Sequence, residues 1–416
     1  MVLRAESERA ARNTINIVVH SDSINRHVWR DASTAIDCDG ATAIRTHADR
    51  LSRPLPRLRC RRRGDTIGDS SLKTQILCTL GPSSLRPGII KGLDARDVDL
   101  FRINLSHTPA NRVEEIVALV RSCSTTPICL DTQGAQVRCG RMADNVELRT
   151  GTRVRLAPDG SMGSAKGITL WPISVFESLR IGDEVSIDFD GALLRVTSVG
   201  CDGAEAEVIE GGRVRSNRAV NISPPPTLPS LTVEDRKAIE VGVGLGIEHF
   251  ALSFASCAAD VELGRSLTSP GSYIIAKIES QSGVRNMEEI IDAADAVLVD
   301  RGDLSREVPL EYVPFYQKVI VRQPNRANRP VFVATNLLES MVSSRRPTLA
   351  EANDIANTLL DGVHGLVLAA ETAIGVDPLS AVDMVRRAIR AFERANTATL
   401  FTHDGAATRS PGPMAS

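Results

Sequence analysis

Eight short apolar runs, each ending in polar or small residues, recur along the chain and constrain its fold more than any other feature. They occupy residues 75–78, 100–101, 127–130, 249–252, 273–276, 296–299, 331–334 and 366–369. Most are separated by segments whose apolar residues are spaced as on one helix face, at 111–120, 233–244, 284–294, 348–360 and 378–391. Eight strand–helix units predict a (β/α)8 TIM barrel, with functional residues at the carboxyl ends of the strands. An open, doubly wound sheet is the alternative, but it would not need eight similar units.

One interruption falls between the third and fourth runs. Residues 141–218 hold short alternating runs separated by Gly and Asp, and helical spacing is rare there. This pattern predicts an inserted all-β domain resembling a small barrel. Because the insert follows a barrel strand, we expect it to hang over the strand ends as a lid. The barrel itself would then comprise residues 71–140 and 219–396.

Both ends of the chain lack the periodic apolar pattern of the barrel segments. All basic residues of segment 1–70 are Arg, and its periodicity is faint, which predicts a disordered extension. The acidic residues Glu6, Glu8 and Asp22 argue against a transit peptide, and an early start codon is a further interpretation. The polar tail 397–416 is also expected to be disordered.

Composition excludes several classes of protein. The 416 residues carry a net charge of −2, so there is no basic excess for nucleic acid or a membrane surface. No apolar run approaches the ~20 residues that span a bilayer. The 8 cysteines form no C-x-x-C pair, and Cys78, Cys129, Cys201 and Cys257 lie in or beside apolar stretches. This usage is typical of a reduced, cytoplasmic protein.

Two of the apolar runs break into charged residues that a purely structural strand would not need. Run 273–276 continues into Lys277 and Glu279, which alternation places on one face. Run 296–299 is followed by Gly302 and Asp303, and Gly302 permits a close backbone approach. A strand–helix–strand unit brings both polar ends to one sheet edge. This set suits a divalent cation and an anionic substrate, and surface ion pairs are the alternative.

Longer blocks around these residues resemble the pyruvate kinase family. The similarity runs from about Lys73 to Arg394 and includes KTQILCTLGPSS, FRINLSH, LDTQGAQVR, IIAKIESQSGV, RGDL, VATNLLESM, RRPTLAEANDIAN and ETAIG. It implies a magnesium-dependent phosphotransferase of glycolysis that moves phosphate from phosphoenolpyruvate to ADP, giving pyruvate and ATP. It also implies a cytoplasmic location.

The resemblance assigns a role to each matching residue. Lys277, Arg102 and Thr335 match the catalytic residues, and the same three together with Ser253, Gly302 and Asp303 match the substrate site. Glu279 and Asp303 match the ligands of Mg²⁺ or Mn²⁺. Asn104, Ser106, Asp131 and Thr132 match the oxygen ligands of a monovalent cation, K⁺. His107, Arg138 and Arg218 match positions near the nucleotide.

The chain departs from the family pattern at several points. The family's C-terminal domain is not found after the barrel pattern, so we expect a monomer or homodimer. Leu85, Gln133 and Ile374 replace basic residues of the nucleotide half. Gln136 replaces a residue tied to the potassium requirement, which leaves K⁺ dependence open. Near the lid, Phe189 interrupts a pair of acids and leaves Asp190. The residues matched to the substrate site are therefore present, whereas basic residues are missing from the nucleotide half of the site.

Two other functions fit part of this pattern. A non-catalytic or regulatory relative would bind phosphoenolpyruvate without turnover, which fits the missing basic residues of the nucleotide half. A metal-dependent lyase acting on a pyruvate enolate would use a related barrel, but it has no need of a lid or of Lys277.

Overall fold

The computed structural model describes residues 73–397 except 135, 144–145, 159, 189–190 and 227. The predicted extension 1–70 and the tail beyond residue 397 lie outside the described residues. Phe189 and Asp190, the departure noted near the lid, also lie outside them.

The secondary-structure elements fall into three consecutive groups. The first is β1 (Gln75–Leu80), α1 (Pro87–Asp94), β2 (Leu100–Asn104), α2 (Ala110–Cys123) and β3 (Ile128–Asp131). The second is β4 (Arg138–Cys139), β5 (Glu147–Leu148), β6 (Arg153–Ala157), β7 (Gly167–Trp171), α3 (Val175–Ser178), β8 (Glu184–Ile187), β9 (Ala192–Gly200), β10 (Gly203–Glu210), β11 (Gly212–Arg213) and β12 (Val220–Ser223). The third is α4 (Val233–Gly244), β13 (His249–Leu252), α5 (Ala258–Ser266), β14 (Tyr273–Ile278), α6 (Gln281–Arg285), α7 (Met287–Ala293), β15 (Ala296–Asp300), α8 (Arg301–Glu307), α9 (Val313–Arg326), β16 (Val331–Ala334), α10 (Leu349–Leu360), β17 (Gly365–Leu368), α11 (Ala370–Ala373) and α12 (Pro378–Thr397), with 3₁₀ turns at Leu310–Tyr312 and Glu339–Val342.

Strands of the first and third groups close into one parallel barrel. The hydrogen-bonded order is β1, β2, β3, β13, β14, β15, β16, β17 and back to β1. Each of the eight predicted runs is one of these strands, so the predicted (β/α)8 barrel is confirmed. Because every strand points the same way, all carboxyl ends meet at one edge.

The barrel strands are buried on both faces. Alternate residues point inward, among them Tyr273 and Ile275 in β14 and Phe332 in β16, and they pack together inside the barrel. The intervening residues, such as Ile274, pack against the surrounding helices. Two-sided burial explains why the runs are continuously apolar rather than alternating.

Local signals fix where several helices begin. Thr232 and Asp235 form a capping box at the start of α4, and Thr348 and Glu351 form another at the start of α10. The single helix expected over 284–294 is instead two short helices, α6 and α7. They meet at Asn286, whose side-chain amide donates to the Ser256 carbonyl at 2.7 Å and fixes a turn there.

The insert is all-β apart from one short helix. Seven strands form a sheet in the order β12, β8, β9, β10, β6, β7, β4, and β11 pairs with β5. The edge strand β4 is bridged to the start of β12 by Arg138 and Ala219, so the sheet curls toward a barrel without a continuous closing ladder. Its strands begin at Arg138 and end at Ser223. Strand pairing therefore extends a few residues beyond 141–218 on both sides.

The described cysteines are free, and they differ in environment. Burial raises the pKa of the Cys78 and Cys129 thiols, as expected for core residues. Cys201 is exposed in the turn between β9 and β10, so its expected core placement is wrong. Within the described part of the chain, no helix has the length and apolar character needed to cross a membrane.

Removing a side chain from the barrel interior should be costly. Phe332 is 0% exposed and fills the space between strands. We expect Phe332→Ala to lower the free energy of unfolding by about 3–5 kcal/mol, because it leaves a cavity that a closed barrel cannot collapse. Denaturant unfolding measures the change. Phe315 is 65% exposed, and Phe315→Ala is the matched control, expected to change stability by less than about 0.5 kcal/mol.

Candidate active site

A buried lysine lies at the centre of the carboxyl-end edge of the barrel. Lys277, near the end of β14, donates from Nζ to Ser253 Oγ at 2.9 Å. Its Nζ also lies 3.1 Å from Glu279 Oε2 and 3.6 Å from oxygens of both Asp131 and Asp300. Burial alone would lower the pKa of Lys277, but these carboxylates raise it above its usual value. The ammonium therefore stays charged without contact with water.

A second buried cation lies beside it. The Arg102 guanidinium in β2 donates from Nε to Asp131 Oδ2 at 2.6 Å and from Nη1 to Thr79 Oγ1 at 3.1 Å. Burial opposes its charge, yet Asp131 outweighs that effect and raises the pKa of Arg102. Strand register explains the contacts, since Arg102 pairs with Thr79 in β1 and β3 ends at Asp131.

Three carboxylates converge near the lysine. One oxygen from each of Glu279, Asp300 and Asp303 lies within 4.8 Å of the other two. Burial, opposed by Lys277 and reinforced by Asp303 and Asp300, raises the pKa of Glu279 to about 8. Burial and Asp300 likewise raise the pKa of Asp303. Burial would do the same to Asp300, but Lys277 and Arg102 lower its pKa.

Sequence reasoning brought Glu279 and Asp303 together correctly, but it missed Asp300. The available signal was the position of Asp300 as the last residue of β15, at the same edge as the other two carboxylates. Asp300 also caps α8, because its side chain accepts from the amides of Gly302 and Asp303. One residue therefore both begins the helix and faces the lysine.

The carboxylate cluster fits a divalent cation. All its donors are oxygens, which Mg²⁺ and Mn²⁺ prefer. Glu279 Oε2 and Asp131 Oδ1 are buried and make no hydrogen bond among the described residues, although Lys277 Nζ lies 3.1 and 3.6 Å from them. Buried carboxylate oxygens that share one ammonium leave negative charge that a cation would offset.

Thr335 follows β16 in a strained backbone conformation. Its φ is 68°, in the left-handed region that a β-branched residue rarely adopts, at a cost of about 1–3 kcal/mol. Its hydroxyl accepts from the Gly302 amide at 2.7 Å and can donate to Asp300 Oδ1 at 3.0 Å. A Cβ on Gly302 would lie 3.3 Å from that hydroxyl, so glycine allows the close approach of these two residues.

The residues matched to a monovalent site lie on adjacent strand ends. Register pairs Asn104 with Asp131. The Asn104 side-chain oxygen accepts from the Ser106 amide, and the Thr132 hydroxyl accepts from the Ser253 amide, both at 2.9 Å. Of this set, Asp131 Oδ1 is the buried oxygen that has no hydrogen-bond partner in the described structure.

Residues matched to the nucleotide half are more scattered. Arg138 donates to Gln136 Oε1 at 2.7 Å, whereas Arg218 forms an ion pair with Asp188 in the insert at 3.4 Å. Partial burial, then the charges of Arg138 and Arg102, lower the pKa of His107, so His107 shares an electrostatic environment with both arginines.

Two positions that depart from the family's basic residues differ in exposure. Ile374 is exposed at the end of α11. Leu85 is partly buried against the barrel core, where a charged side chain would lose that packing.

The insert and the segment leading into it contact the helix that carries Asp303. Gln136 Nε2 donates to Asp303 Oδ1 at 3.2 Å, and the Asn221 side-chain amide donates to the Arg306 carbonyl. Arg306 itself pairs with Asp303 at 3.0 Å. A cavity of about 350 Å³ opens beside these residues, with Phe254 from the barrel in its wall. The insert therefore forms part of the wall of the cleft over the strand ends.

Comparison with known proteins gives a consistent result. Residues 71–382 match the family model described as "Pyruvate kinase, barrel domain". A pyruvate kinase of Agrobacterium vitis is 35% identical over 337 residues, covering 78% of this chain and 70% of the relative. A pyruvate kinase of Mycobacterium tuberculosis is 35% identical over 339 residues, covering 78% of this chain and 71% of the relative.

A solved structure agrees with these sequence matches. The crystal structure of a pyruvate kinase from Cryptosporidium parvum superposes with a TM-score of 0.71 at 31% identity, covering 77% of this chain and 69% of the other. Family model, relatives and fold all include the barrel edge where Lys277 and the carboxylates lie. The chain belongs to the pyruvate kinase family.

Proposed function

We propose that the chain transfers the phosphoryl group of phosphoenolpyruvate to ADP. The phosphorus–oxygen bond to the enol oxygen breaks, and a new bond forms to a terminal oxygen of ADP. The enolate left behind takes a proton on its methylene carbon and becomes pyruvate. The observation that carries the proposal is the cluster of Lys277, Arg102 and convergent carboxylates at the barrel edge, in a chain of this family.

The two buried cations have distinct tasks in this reaction. Lys277 is rigidly held by Ser253, whose own hydroxyl donates to the Thr132 carbonyl at 2.7 Å. A fixed ammonium stabilises charge on the transferring phosphoryl group and on the enolate, at no cost in reorganisation. Arg102 offers a planar fork of donors suited to phosphate oxygens. We assign Thr335 to the position beside the carbon that is protonated.

Glu279, Asp300 and Asp303 are the residues that would hold Mg²⁺ or Mn²⁺, which supplies charge neutralisation for the substrate carboxylate and phosphoryl oxygens. Adding Asp300 to the two ligands expected from the sequence rests on the convergence of its oxygen with theirs. Asp131 and Asn104 are the residues best placed for K⁺, together with Ser106 and Thr132. We propose K⁺ as an activator only.

The remaining assignments complete the proposal. His107, Arg138 and Arg218 contact ADP, and the insert, over residues 141–218 with its flanking strands, acts as the lid. Substrate binding involves Ser253, Gly302 and Asp303 as well as the catalytic residues. We propose a cytoplasmic enzyme that works as a monomer or homodimer.

A coupled assay tests the function. Purified protein is mixed with phosphoenolpyruvate, a series of nucleoside diphosphates, Mg²⁺ and K⁺, and pyruvate is followed with lactate dehydrogenase and NADH. Pyruvate formation that requires a diphosphate supports the proposal. Phosphoenolpyruvate binding without turnover would instead indicate a non-catalytic relative. Pyruvate release from a longer keto acid would indicate a lyase.

Replacing the lysine should affect rate more than binding. We expect Lys277→Met to lower kcat by about 100-fold or more while phosphoenolpyruvate binding, measured by calorimetry, largely survives, because the charge matters most in the transition state. The matched control is Lys318→Met, which removes an ion pair with Asp361 on the outer helices and should leave kcat unchanged. Loss of binding in proportion to rate would make Lys277 a simple substrate anchor.

Removing one carboxylate should weaken cation binding directly. We expect Asp303→Asn to lower Mn²⁺ affinity at least tenfold, measured by electron paramagnetic resonance without substrate, since an amide is a poorer ligand than a carboxylate. Asp292→Asn, on the exposed face of α7, is the control. Equal Mn²⁺ affinity in the two variants would exclude Asp303 from the cation site.

Restoring a basic residue in the nucleotide half should strengthen ADP binding. We expect Ile374→Lys to lower the apparent ADP constant roughly tenfold, since a regained charged contact to phosphate is worth ~1.5–3 kcal/mol. The exposed side chain can be exchanged without repacking the core. Steady-state kinetics with each substrate varied in turn give the answer. The constant for phosphoenolpyruvate should stay nearly constant, and an unaltered ADP constant would contradict the assignment.

A further inference from the structure

Thr335 keeps its strained conformation through contacts at both ends of the residue. On the side-chain end, the hydroxyl accepts from the Gly302 amide at 2.7 Å and lies within donating distance of Asp300 Oδ1, at 3.0 Å, and of the Ala334 carbonyl, at 2.6 Å. On the backbone end, the carbonyl oxygen accepts two hydrogen bonds from the Arg301 guanidinium, from Nε at 3.0 Å and from Nη2 at 2.6 Å. Strained residues persist only where their surroundings over-determine them. Arg301 supplies the constraint on the backbone end.

Strand register brings these groups together. Asp300 at the end of β15 pairs with Ala334 at the end of β16. The next residues along each chain, Arg301 and Thr335, therefore lie opposite each other just beyond the sheet. The planar guanidinium places two donors on one carbonyl oxygen, which fixes the direction of the peptide plane after Thr335.

An outer helix fixes the arginine in turn. Arg301 Nη1 donates to both oxygens of Asp354 in α10, at 2.9 and 2.7 Å. Arg301 is buried, whereas the Asp354 side chain is partly exposed on the helix ring. Without Asp354 the buried guanidinium would lose its carboxylate partner and its fixed orientation. The contacts thus run from α10 through Arg301 to the strained residue.

We infer that Arg301 and Asp354 are positioning residues that hold Thr335 in its left-handed conformation, with its hydroxyl directed at Gly302 and Asp300. The inference rests on the proposed function in placing Thr335 beside the carbon that takes the proton. Neither residue faces the carboxylate cluster with its charged group. Both act on the reaction only through the peptide that they hold.

Rotation of the peptide after Thr335 would mainly affect the protonation of the enolate. The Thr335 hydroxyl would leave the Gly302 amide and Asp300, and the geometry for protonating the enolate would be lost. Misplacement of a reacting group by about 1 Å costs on the order of 100-fold in rate. Cation and phosphoenolpyruvate binding also involve Lys277, Arg102, Glu279 and Asp303, which this peptide does not hold, so both should change less than the rate of the proton step.

The first test is kinetic. We expect Arg301→Lys to lower kcat about 10- to 100-fold and Asp354→Asn about 10-fold, with the KM for phosphoenolpyruvate within about threefold of wild type. Exchange of pyruvate methyl protons with D₂O, followed by NMR, reports the proton step alone and should fall in parallel. Asp383→Asn, which removes a similarly exposed carboxylate partner of Arg96 on the outer helix α12, is the matched control and should match wild type. Variants with wild-type exchange rates would overturn the inference.

The second test does not depend on turnover. In a crystal structure of Arg301→Lys, we expect Thr335 to leave the left-handed region and its hydroxyl to lose the Gly302 amide. A Thr335 that keeps both features without the guanidinium would overturn the inference even if the wild-type chain proved inactive. Failure of the coupled assay with wild type would instead overturn the proposed function. The two failures are therefore distinguishable.

Discussion

The Lys277 ammonium, buried among carboxylates, is the interaction on which the rest of the site depends. Lys277, Arg102 and Arg306 face four carboxylates, those of Asp131, Glu279, Asp300 and the partly buried Asp303. Burial raises the pKa of Glu279 to about 8, although Lys277 opposes the shift, and Asp303 and Asp300 add to it. Carboxylates thus outnumber cations at this edge, which supports the proposal that a divalent cation binds there.

Only the barrel brings these groups together. The buried charges come from the ends of two strand pairs, β2 with β3 and β14 with β15, which are far apart in sequence and are separated in the closed sheet only by β13. Parallel strands deliver all their carboxyl ends to one edge, and the apolar layers below hold that edge rigid. The large buried area of the barrel stabilises a cluster that would be unfavourable in isolation.

Much of this arrangement follows from local sequence. Strand and helix periodicity predicts the barrel, and alternation predicts that Lys277 and Glu279 share a face, because both depend on near neighbours in the chain. Other features depend on contacts between distant segments and leave no periodic signal. Asp300 is the last residue of β15, which pairs directly with β14, so its position near Glu279 follows from one strand–helix–strand unit, but no pattern shows that its carboxylate faces the lysine. The break at Asn286 depends on the Ser256 carbonyl of another loop.

Backbone strain is a further limit of prediction. Thr335 follows an apolar run and favours extended conformations by its own preference, yet it lies in the left-handed region. Arg301 and Asp354, which we infer to impose this conformation, belong to other elements of the fold and are not its neighbours in the sequence. The sequence therefore identifies Thr335 as a residue at a strand end, while its conformation is decided by tertiary contacts.

Helix α8 has a mechanical consequence for the proposed reaction. It carries Asp303, which Gln136 contacts from the segment leading into the insert, and Arg306, whose carbonyl Asn221 of the insert contacts. A shift of the insert would therefore change the surroundings of the Asp303 carboxylate. If Asp303 binds the cation and such a shift alters its affinity, linkage makes the cation alter the position of the insert by the same factor. Cation binding and the position of the insert would then be coupled.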